Sequence, residues 1–298
     1  MTKSRSVLSR YKLPSRDSYD LPTSSKRFVD GGQYRIEIPS TEGPRAMDAV
    51  MQAAAQHQVR VHRISQGSGI MLQTDDEIRE MVALGRTNNV EVCLFVGPRA
   101  SWDIGVQAAS SAGRVLGASL RGADQLAFGI EDVLYGLALG IKSILVGDIG
   151  HLAVLGRMKK DGDLPPDFVL KTSVTLAAAN PAAGRVFEDL GATSLNLPVD
   201  LTLPQIAAIR QAVDIPIDFY VESPDDFGGA VRHYEIPELV RVAAPIYLKF
   251  GLRNHGPLYP AGQHLENTVL ALCRERVRRA ALGLNILRRY APDAVASA

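Results

Sequence analysis

Short β-prone runs alternate with longer amphipathic stretches along most of this chain. Each run is apolar on alternate positions or throughout and is bounded by turn-forming residues, which predicts a strand. The stretches between them have helical spacing, and some begin with helix-start signals such as Thr74 and Asn180. A long last helix is predicted over about 262–290. The eight predicted strands are "YRIEIPS", "VRVHRIS", "VEVCLFVGP", "KSILVGDIG", "FVLKTSV", "TSLNLPVD", "IPIDFYVES" and "PIYLKFG".

This alternation predicts parallel strands joined by crossover helices, and eight repeats match a (β/α)8 TIM barrel over residues 34–290. An open doubly wound sheet is the rival, but no Gly-x-Gly-x-x-Gly turn follows the first strand. The first 33 residues are rich in Ser, Pro and basic residues and are predicted to form a flexible N-terminal arm. Residues 291–298 are predicted to be a disordered tail.

The alternation within each strand separates an apolar face from a polar face. In a barrel the outer face packs under helices, so the polar faces are expected to point into the interior. Buried charges are costly unless they pair or meet a ligand. Closure of the barrel would bring Lys249 on the eighth strand beside Glu37 on the first and Glu222 on the seventh. The predicted interior set is Arg35, Glu37, His62, Lys171, Ser173, Asn196, Asp218, Tyr220, Glu222, Tyr247 and Lys249.

Residues near the carboxyl ends of barrel strands are the natural candidates for catalysis. Three chemistries stay open: a Schiff-base or proton-transfer lysine, acid–base catalysis by a lysine and a carboxylate, and a divalent metal site. The catalytic candidates are Glu37, His62, Lys171, Glu222 and Lys249. The candidate metal ligands are Glu37, His62, Asp148 and Glu222.

The loops after the third and eighth strands carry arginines, which suit an anionic substrate. The predicted substrate-binding residues are Arg35, Gln66, Arg99, Ser173, Asn196, Tyr220, Arg253, Asn254 and His255. The connection over residues 99–122 is long and rich in Gly, Ser and Ala. It is predicted to be either a lid carrying Arg99, Trp102 and Asp103 or a helical insertion on the rim.

Composition narrows the class of protein. The 298 residues are 46% hydrophobic and 22% charged with a net charge of +1, which is ordinary globular composition and argues against nucleic-acid or membrane partners. No apolar run is long enough to span a bilayer, and no secretory signal is visible. Two cysteines, Cys93 and Cys273, are too few for a disulfide framework, so a cytoplasmic location is predicted.

The segment "FVLKTSVTLAAANPAAGRVFEDLGATSLNLPVDLTLPQIAAIR" resembles the collagenase-like peptidase family, the peptidases of unknown catalytic type. Asn180, Leu190, Gly191 and "LTLPQI" occupy the places of that family's loop, helix end and next helix start. The resemblance implies a barrel-like catalytic region and peptidase activity. Some relatives bind an iron–sulfur cluster through four cysteines, and with two cysteines no such cluster is expected in this chain.

The sequence therefore predicts a barrel enzyme of lyase, isomerase or hydrolase type that acts on a small anionic organic molecule. A peptidase-like hydrolase, as the resemblance implies, and a non-catalytic binding or partner barrel are the alternatives. A homo-oligomer is expected because the last helix carries more apolar positions than one stripe needs. These positions are Val269, Leu272, Val277, Ala281, Leu284 and Leu287.

Overall fold

The strands form the predicted (β/α)8 barrel in the computed structural model, which describes residues 2–15, 17, 20–102, 105–111, 113 and 116–298. All strand pairs are parallel, in the order β5-β4-β3-β2-β1-β8-β7-β6. A single bridge between Lys171 and Ser194 joins β5 to β6, so the barrel is nearly closed. The strands are β1 Tyr34–Pro39, β2 Arg63–Gln66, β3 Glu91–Phe95, β4 Ser143–Val146, β5 Val169–Thr172, β6 Leu195–Asn196, β7 Ile217–Glu222 and β8 Ile246–Phe250.

Helices separate successive strands, and two predicted start signals are confirmed. Thr74 and Glu77 form a capping box at α3, and Asn180 accepts a hydrogen bond from the backbone of Ala183 at α7. The helices are α1 Thr2–Arg10, α2 Pro44–His57, α3 Asp75–Asn88, α4 Val106–Ala109, α5 Gly122–Ala138, α6 Ile149–Asp161, α7 Pro181–Asp189, α8 Leu203–Ala212, α9 Ile236–Ala243 and α10 Glu266–Tyr290. Within the described residues, no helix is long and apolar enough to cross a membrane.

The main core lies between the sheet and the helices. Outward-facing strand residues such as Ile36, Phe219 and Leu248 are fully buried there. Helix α10 lies across α2, β1 and β8 and buries Val269 and Leu287 against its own barrel. The buried apolar residues of α10 therefore pack against their own barrel. The homo-oligomer stays a prediction, and these residues do not support it.

The amino-terminal end of the barrel is covered by residues from the predicted flexible arm and from the predicted disordered tail. Ser24 is buried and donates to the carbonyl of Ala244, and Phe28 packs edge-on against Tyr247 at 5.3 Å. Ser297 is buried, and its backbone donates to Tyr34 at 3.0 Å. These segments order because the open end of the barrel offers them hydrogen-bond partners and aromatic surface, which a local sequence pattern does not reveal.

The long connection after β3 folds back on itself at the carboxyl-terminal end of the barrel. It contains a 3-10 helix at Ala100–Trp102 and the short α4. The backbone of Ala100 donates to Ser119 at 3.1 Å, which ties the start of the connection to its end. Asp103, predicted as part of a lid, lies outside the described residues.

Candidate active site

A cavity of about 520 Å³ opens at the carboxyl ends of the strands. This volume is typical of small-molecule sites. Its walls come from strand ends and from the loops after β3, β7 and β8. Six of the predicted site residues line it: Gln66, Arg99, Ser173, Asn196, Tyr220 and Lys249.

Lys249 is buried in the wall of this cavity, as the alternation of β8 predicts. Its Nζ lies 3.6 Å from Oε1 of Glu37 and 4.0 Å from the ring centre of Tyr220. With the Asn196 amide assigned so that its oxygen faces donors, that oxygen accepts from Lys249 Nζ at 2.9 Å. The ammonium is thus held by a carboxylate, an amide and an aromatic face while remaining part of the cavity surface.

Glu37 lies beneath the cavity and joins three cations. Both of its oxygens accept from Lys171, Oε2 accepts from Arg63 at 3.3 Å, and Lys249 lies nearby. Burial alone would raise the pKa of Glu37, but the surrounding cations outweigh burial and hold this pKa below its usual range. Glu37 is therefore a carboxylate at neutral pH.

Lys171 is fully buried beneath the cavity and lies 4.0 Å from Asp218. It is not among the residues that line the cavity. Its ammonium forms an ion pair with Glu37. This placement suits a group that positions Glu37 better than one that contacts a ligand, and the predicted catalytic role of Lys171 stays a prediction.

A second charged layer lies deeper, and its central residue was not predicted. Arg63 is fully buried, donating to Asp218 at 2.7 Å and to Glu91 at 2.8 Å, with its guanidinium 3.6 Å from the ring centre of Tyr247. The predicted second strand began at residue 59 with His62 on its inward face, whereas β2 begins at Arg63. Arg63 and Ser65 point into the interior, where both donate to Glu37.

Glu222 does not face the cavity, which corrects its predicted place beside Lys249. The pairing of β7 with β8 shifts between Tyr220 and Glu222, so Glu222 is opposite the outward-facing Phe250. Such a bulge reverses the face of the residue that follows it. Glu222 contacts His233 at 3.2 Å and Arg279 of α10 at 3.5 Å instead.

The four predicted metal ligands do not converge. His62 lies at the amino-terminal end, where its Nδ1 accepts from Ile36 and its Nε2 meets the carbonyl of Ser297. Asp148 caps α6 by accepting from His151. In the part of the chain that the structure describes, no group of three or more His, Cys, Asp or Glu side chains is arranged to hold a metal ion.

Two further groups of predicted binding residues lie away from the cavity floor. Arg35 is at the amino-terminal end, donating to Ser297 and Tyr247. Arg253 and the backbone of Asn254 bind the side chain of Asp225 on the rim, and the half-buried His255 contacts the carbonyl of Gly256. Arg253, which was expected to hold an anion after β8, is therefore paired with an acidic residue of the chain itself.

Arg99 enters the cavity wall from the loop after β3, as predicted. Its guanidinium lies between the rings of Phe95 and Trp102, 3.7 Å from the centre of each. Its Nη2 donates to the carbonyls of Gly67 and Ser68, at 2.8 and 3.4 Å. Burial lowers the pKa of Arg99 to about 10, which still leaves it charged at neutral pH.

Two aromatic residues in the loops of the cavity wall were missed in the sequence. Tyr259 lies in the loop after β8 and shares a hydrogen bond with Ser40 at 2.5 Å. Phe227, after β7, stacks on Tyr220 at 6.4 Å. Both lie in loops outside any periodic pattern. The available signal was only that they are aromatic residues following the carboxyl ends of strands.

Comparison with known proteins supports the fold and nothing finer. No family model matches the chain, and none of the curated proteins matches it in sequence. Among solved structures, it is similar to the YdjI aldolase from Escherichia coli K12 with a TM-score of 0.52 and 16% identity, covering 88% of this chain and 94% of that chain. At this identity the likeness concerns the barrel fold alone.

Two other solved structures are similar at TM-scores too low to carry an argument. The U32 peptidase Mk0906 matches with a TM-score of 0.44 and 15% identity, covering 80% of this chain and 99% of that chain. The putative copper homeostasis protein CutC from Streptococcus agalactiae matches with a TM-score of 0.46 and 13% identity, covering 72% and 98%. The collagenase-like peptidase family thus has a member among the structural neighbours, and membership of this chain stays a resemblance.

Proposed function

We propose that this barrel is an enzyme of the lyase or isomerase type that acts on a small anionic organic molecule in the cavity at its carboxyl-terminal end. The observation that carries the proposal is the position of Lys249. Its side chain lines the cavity, and its ammonium lies 3.6 Å from a carboxylate oxygen of Glu37. A charged donor fixed at the wall of a cavity is suited to stabilising negative charge that develops on a substrate oxygen.

Lys249 is the catalytic residue in this proposal, and Glu37 is a positioning residue. The Lys249 ammonium donates a hydrogen bond to the substrate oxygen on which negative charge develops, and no proton is transferred from it. Glu37 does not line the cavity and holds the Lys249 side chain in place from its position 3.6 Å away. Asn196 fixes the direction of the ammonium through its amide oxygen.

The peptidase-like alternative finds less support in the cavity. No histidine is among the described residues that line it, so Ser65 and Ser173 have no imidazole base beside them there. The hydroxyl of Ser65 donates to Glu37 at 2.7 Å and is thereby engaged in the charged network. A non-catalytic barrel would be favoured by a mouth sealed with side chains, whereas this mouth contains an open cavity.

The test is a nuclear magnetic resonance screen of small hydroxy acids, oxo acids and sugar acids with wild-type protein and Lys249→Met. Methionine keeps most of the apolar stem and removes the charge. We expect the variant to fold and to convert the substrate at least about a hundredfold more slowly, in line with the loss of one charged donor that stabilises the transition state.

Arg157→Gln is the control, because Arg157 is exposed on α6 far from the cavity wall. Conversion by folded Lys249→Met protein at the wild-type rate would overturn the catalytic assignment. Saturable binding without conversion of any compound that binds would favour the non-catalytic barrel.

A further inference from the structure

The cavity wall contains two described cations, and they differ in their partners. Lys249 has Glu37 at 3.6 Å. Arg99 is 8% exposed and forms no ion pair with any carboxylate of the described residues, and its Nε is buried without a hydrogen-bond partner. A buried guanidinium without a direct ion pair is costly to desolvate, and Glu42 acts on Arg99 only from beyond ion-pair distance. An anion supplied from outside the chain would offset that cost.

The surroundings of Arg99 fix the plane in which such an anion would bind. The rings of Phe95 and Trp102 cover both faces of the guanidinium. They attract a cation but provide no acceptor in its plane. The carbonyls of Gly67 and Ser68 accept from Nη2, and Nε has no acceptor, so the guanidinium of this cavity-lining residue keeps hydrogen-bonding capacity for a ligand. A flat guanidinium edge matches a planar carboxylate.

The usual place for a phosphate in a TIM barrel is already filled. Phosphates commonly bind the loops after strands 7 and 8. Here the backbone N–H of Asn254 donates to Asp225 at 2.6 Å, and that of Arg253 donates to Glu222 at 3.2 Å. Two carboxylates of the chain occupy these donors, and Asp226 also lines the cavity on this side. A phosphate ester placed there would meet like charges.

We propose that Arg99 binds a carboxylate group of the substrate, so that the substrate class is a small carboxylic acid and not a phosphate ester. This inference rests on the proposed function for its location, because it places the substrate in the same cavity as Lys249. It concerns binding alone and requires no turnover.

The chain provides its own probe, because Trp102 is its one tryptophan and contacts Arg99. Tryptophan fluorescence of the full chain is titrated with lactate, malonate, glycerol 3-phosphate and inorganic phosphate at constant ionic strength. We expect a saturable change with at least one of the two carboxylates, at concentrations where neither phosphate compound produces one. The inference would be overturned if either phosphate compound bound more tightly than the carboxylates, or if neither carboxylate produced a response.

Variants then locate the response, with affinities measured by calorimetry because a change at Arg99 alters the fluorescence of Trp102 itself. Arg99→Gln keeps a donor for the carbonyl of Gly67 and removes the charge. We expect it to bind the carboxylate at least about tenfold more weakly, the loss of one charged hydrogen bond. Arg99→Lys keeps the charge without the planar fork and should give an intermediate affinity.

Arg157→Gln is the matched surface control and should bind like wild type. Circular dichroism confirms that each variant is folded, since Arg99 also holds the loop at Gly67. Unchanged affinity in folded Arg99→Gln overturns the inference. Conversion of a phosphate ester without carboxylate binding would reject this inference alone, whereas carboxylate binding that depends on Arg99 but leads to no reaction would reject the proposed function alone.

Discussion

Arginines at the two ends of the barrel differ in their hydrogen-bond and ion-pair partners. At the amino-terminal end, Arg35 lies 3.5 Å from Asp30 and also donates to Ser297 and Tyr247. Just above it, Arg63 is shared among three carboxylates. At the carboxyl-terminal end, Arg99 has carbonyl partners only and keeps an unpartnered Nε. The first end is covered by its own chain, and the second opens into a cavity.

The difference separates two uses of a buried polar group. A network of polar groups that are hydrogen-bond partners of one another makes the fold more rigid. It leaves no donor or acceptor for a ligand. Hydrogen-bond donors without an acceptor beside a cavity lower the stability of the free protein. A bound molecule can supply the acceptor that they lack. In TIM barrels this division follows the strand direction, with stability at the amino-terminal end and chemistry at the carboxyl-terminal end. Arg35 and Arg99, at opposite ends of this barrel, follow the same division.

The largest effect on stability is expected from Arg63→Met in the satisfied network. Removing the arginine leaves Asp218 and Glu91 without their shared cation in the interior. Breaking a buried ion pair from one side costs about 3–5 kcal/mol. The free energy of unfolding in urea should fall by about that amount.

Lys249→Met is the comparison for that experiment. It leaves Glu37 with Lys171 and Arg63, so its loss of stability should be clearly smaller. Equal losses for the two variants would remove the distinction between the ends.

Much of the fold was predictable because it depends on local periodicity. Eight apolar runs correspond to eight strands, and start signals at Thr74 and Asn180 mark observed helices. The covering of the amino-terminal end was not predictable. Ser297 becomes buried only because the finished barrel presents the backbone of Tyr34 to it. A short polar segment carries no sign of such a partner.

The site was predictable where strands alternate regularly and not where they are interrupted. Period-two alternation correctly places Lys249 and Glu37 side by side. The same rule fails at Glu222, because the bulge in β7 depends on its pairing with β8. It also fails at Arg63, which points into the interior although the predicted alternation put residues of its face, Val59 and Val61, on the apolar side. The lack of a hydrogen-bond partner at Arg99 Nε depends on the three-dimensional surroundings of the side chain. No sequence pattern reveals it.

Two glycines offer a matched test of the comparison, one at each end. A Cβ on Gly32 would lie 2.6 Å from the backbone nitrogen of Ser297, and one on Gly67 would lie 2.7 Å from the hydroxyl of Tyr259. Overpacking of this kind costs about 1–3 kcal/mol. Gly32→Ala should lower the free energy of unfolding and leave carboxylate affinity unchanged.

Gly67→Ala should also lower stability, and it should weaken carboxylate binding because it displaces Tyr259 in the cavity wall and the carbonyl that Arg99 binds. Calorimetric affinities and urea unfolding of both variants provide the measurement. A loss of binding in Gly32→Ala that equals the loss in Gly67→Ala would show that the two ends are coupled.

The smallest expected effect is a pH dependence of stability that originates partly at the amino-terminal end. Burial lowers the pKa of His62 to about 4, with further lowering by Arg60 and Arg35 and opposing contributions from Ser297 and Asp30. Burial lowers the pKa of His151 to about 4 as well. Between about pH 6.5 and 4 the unfolded chain binds protons at these residues that the folded protein does not, so stability falls as the pH falls.

His62→Asn removes one of these two protons and should make the decline shallower, by at most about 1.4 kcal/mol per pH unit. Urea unfolding at several pH values across this window measures the slope for wild type and variant. Because His62 contacts Ser297 and not the cavity, carboxylate affinity at neutral pH should stay the same. An identical slope in the two proteins would mean that His62 is already accessible to protons in the folded state, and the amino-terminal end would then not be closed by residues 294–298.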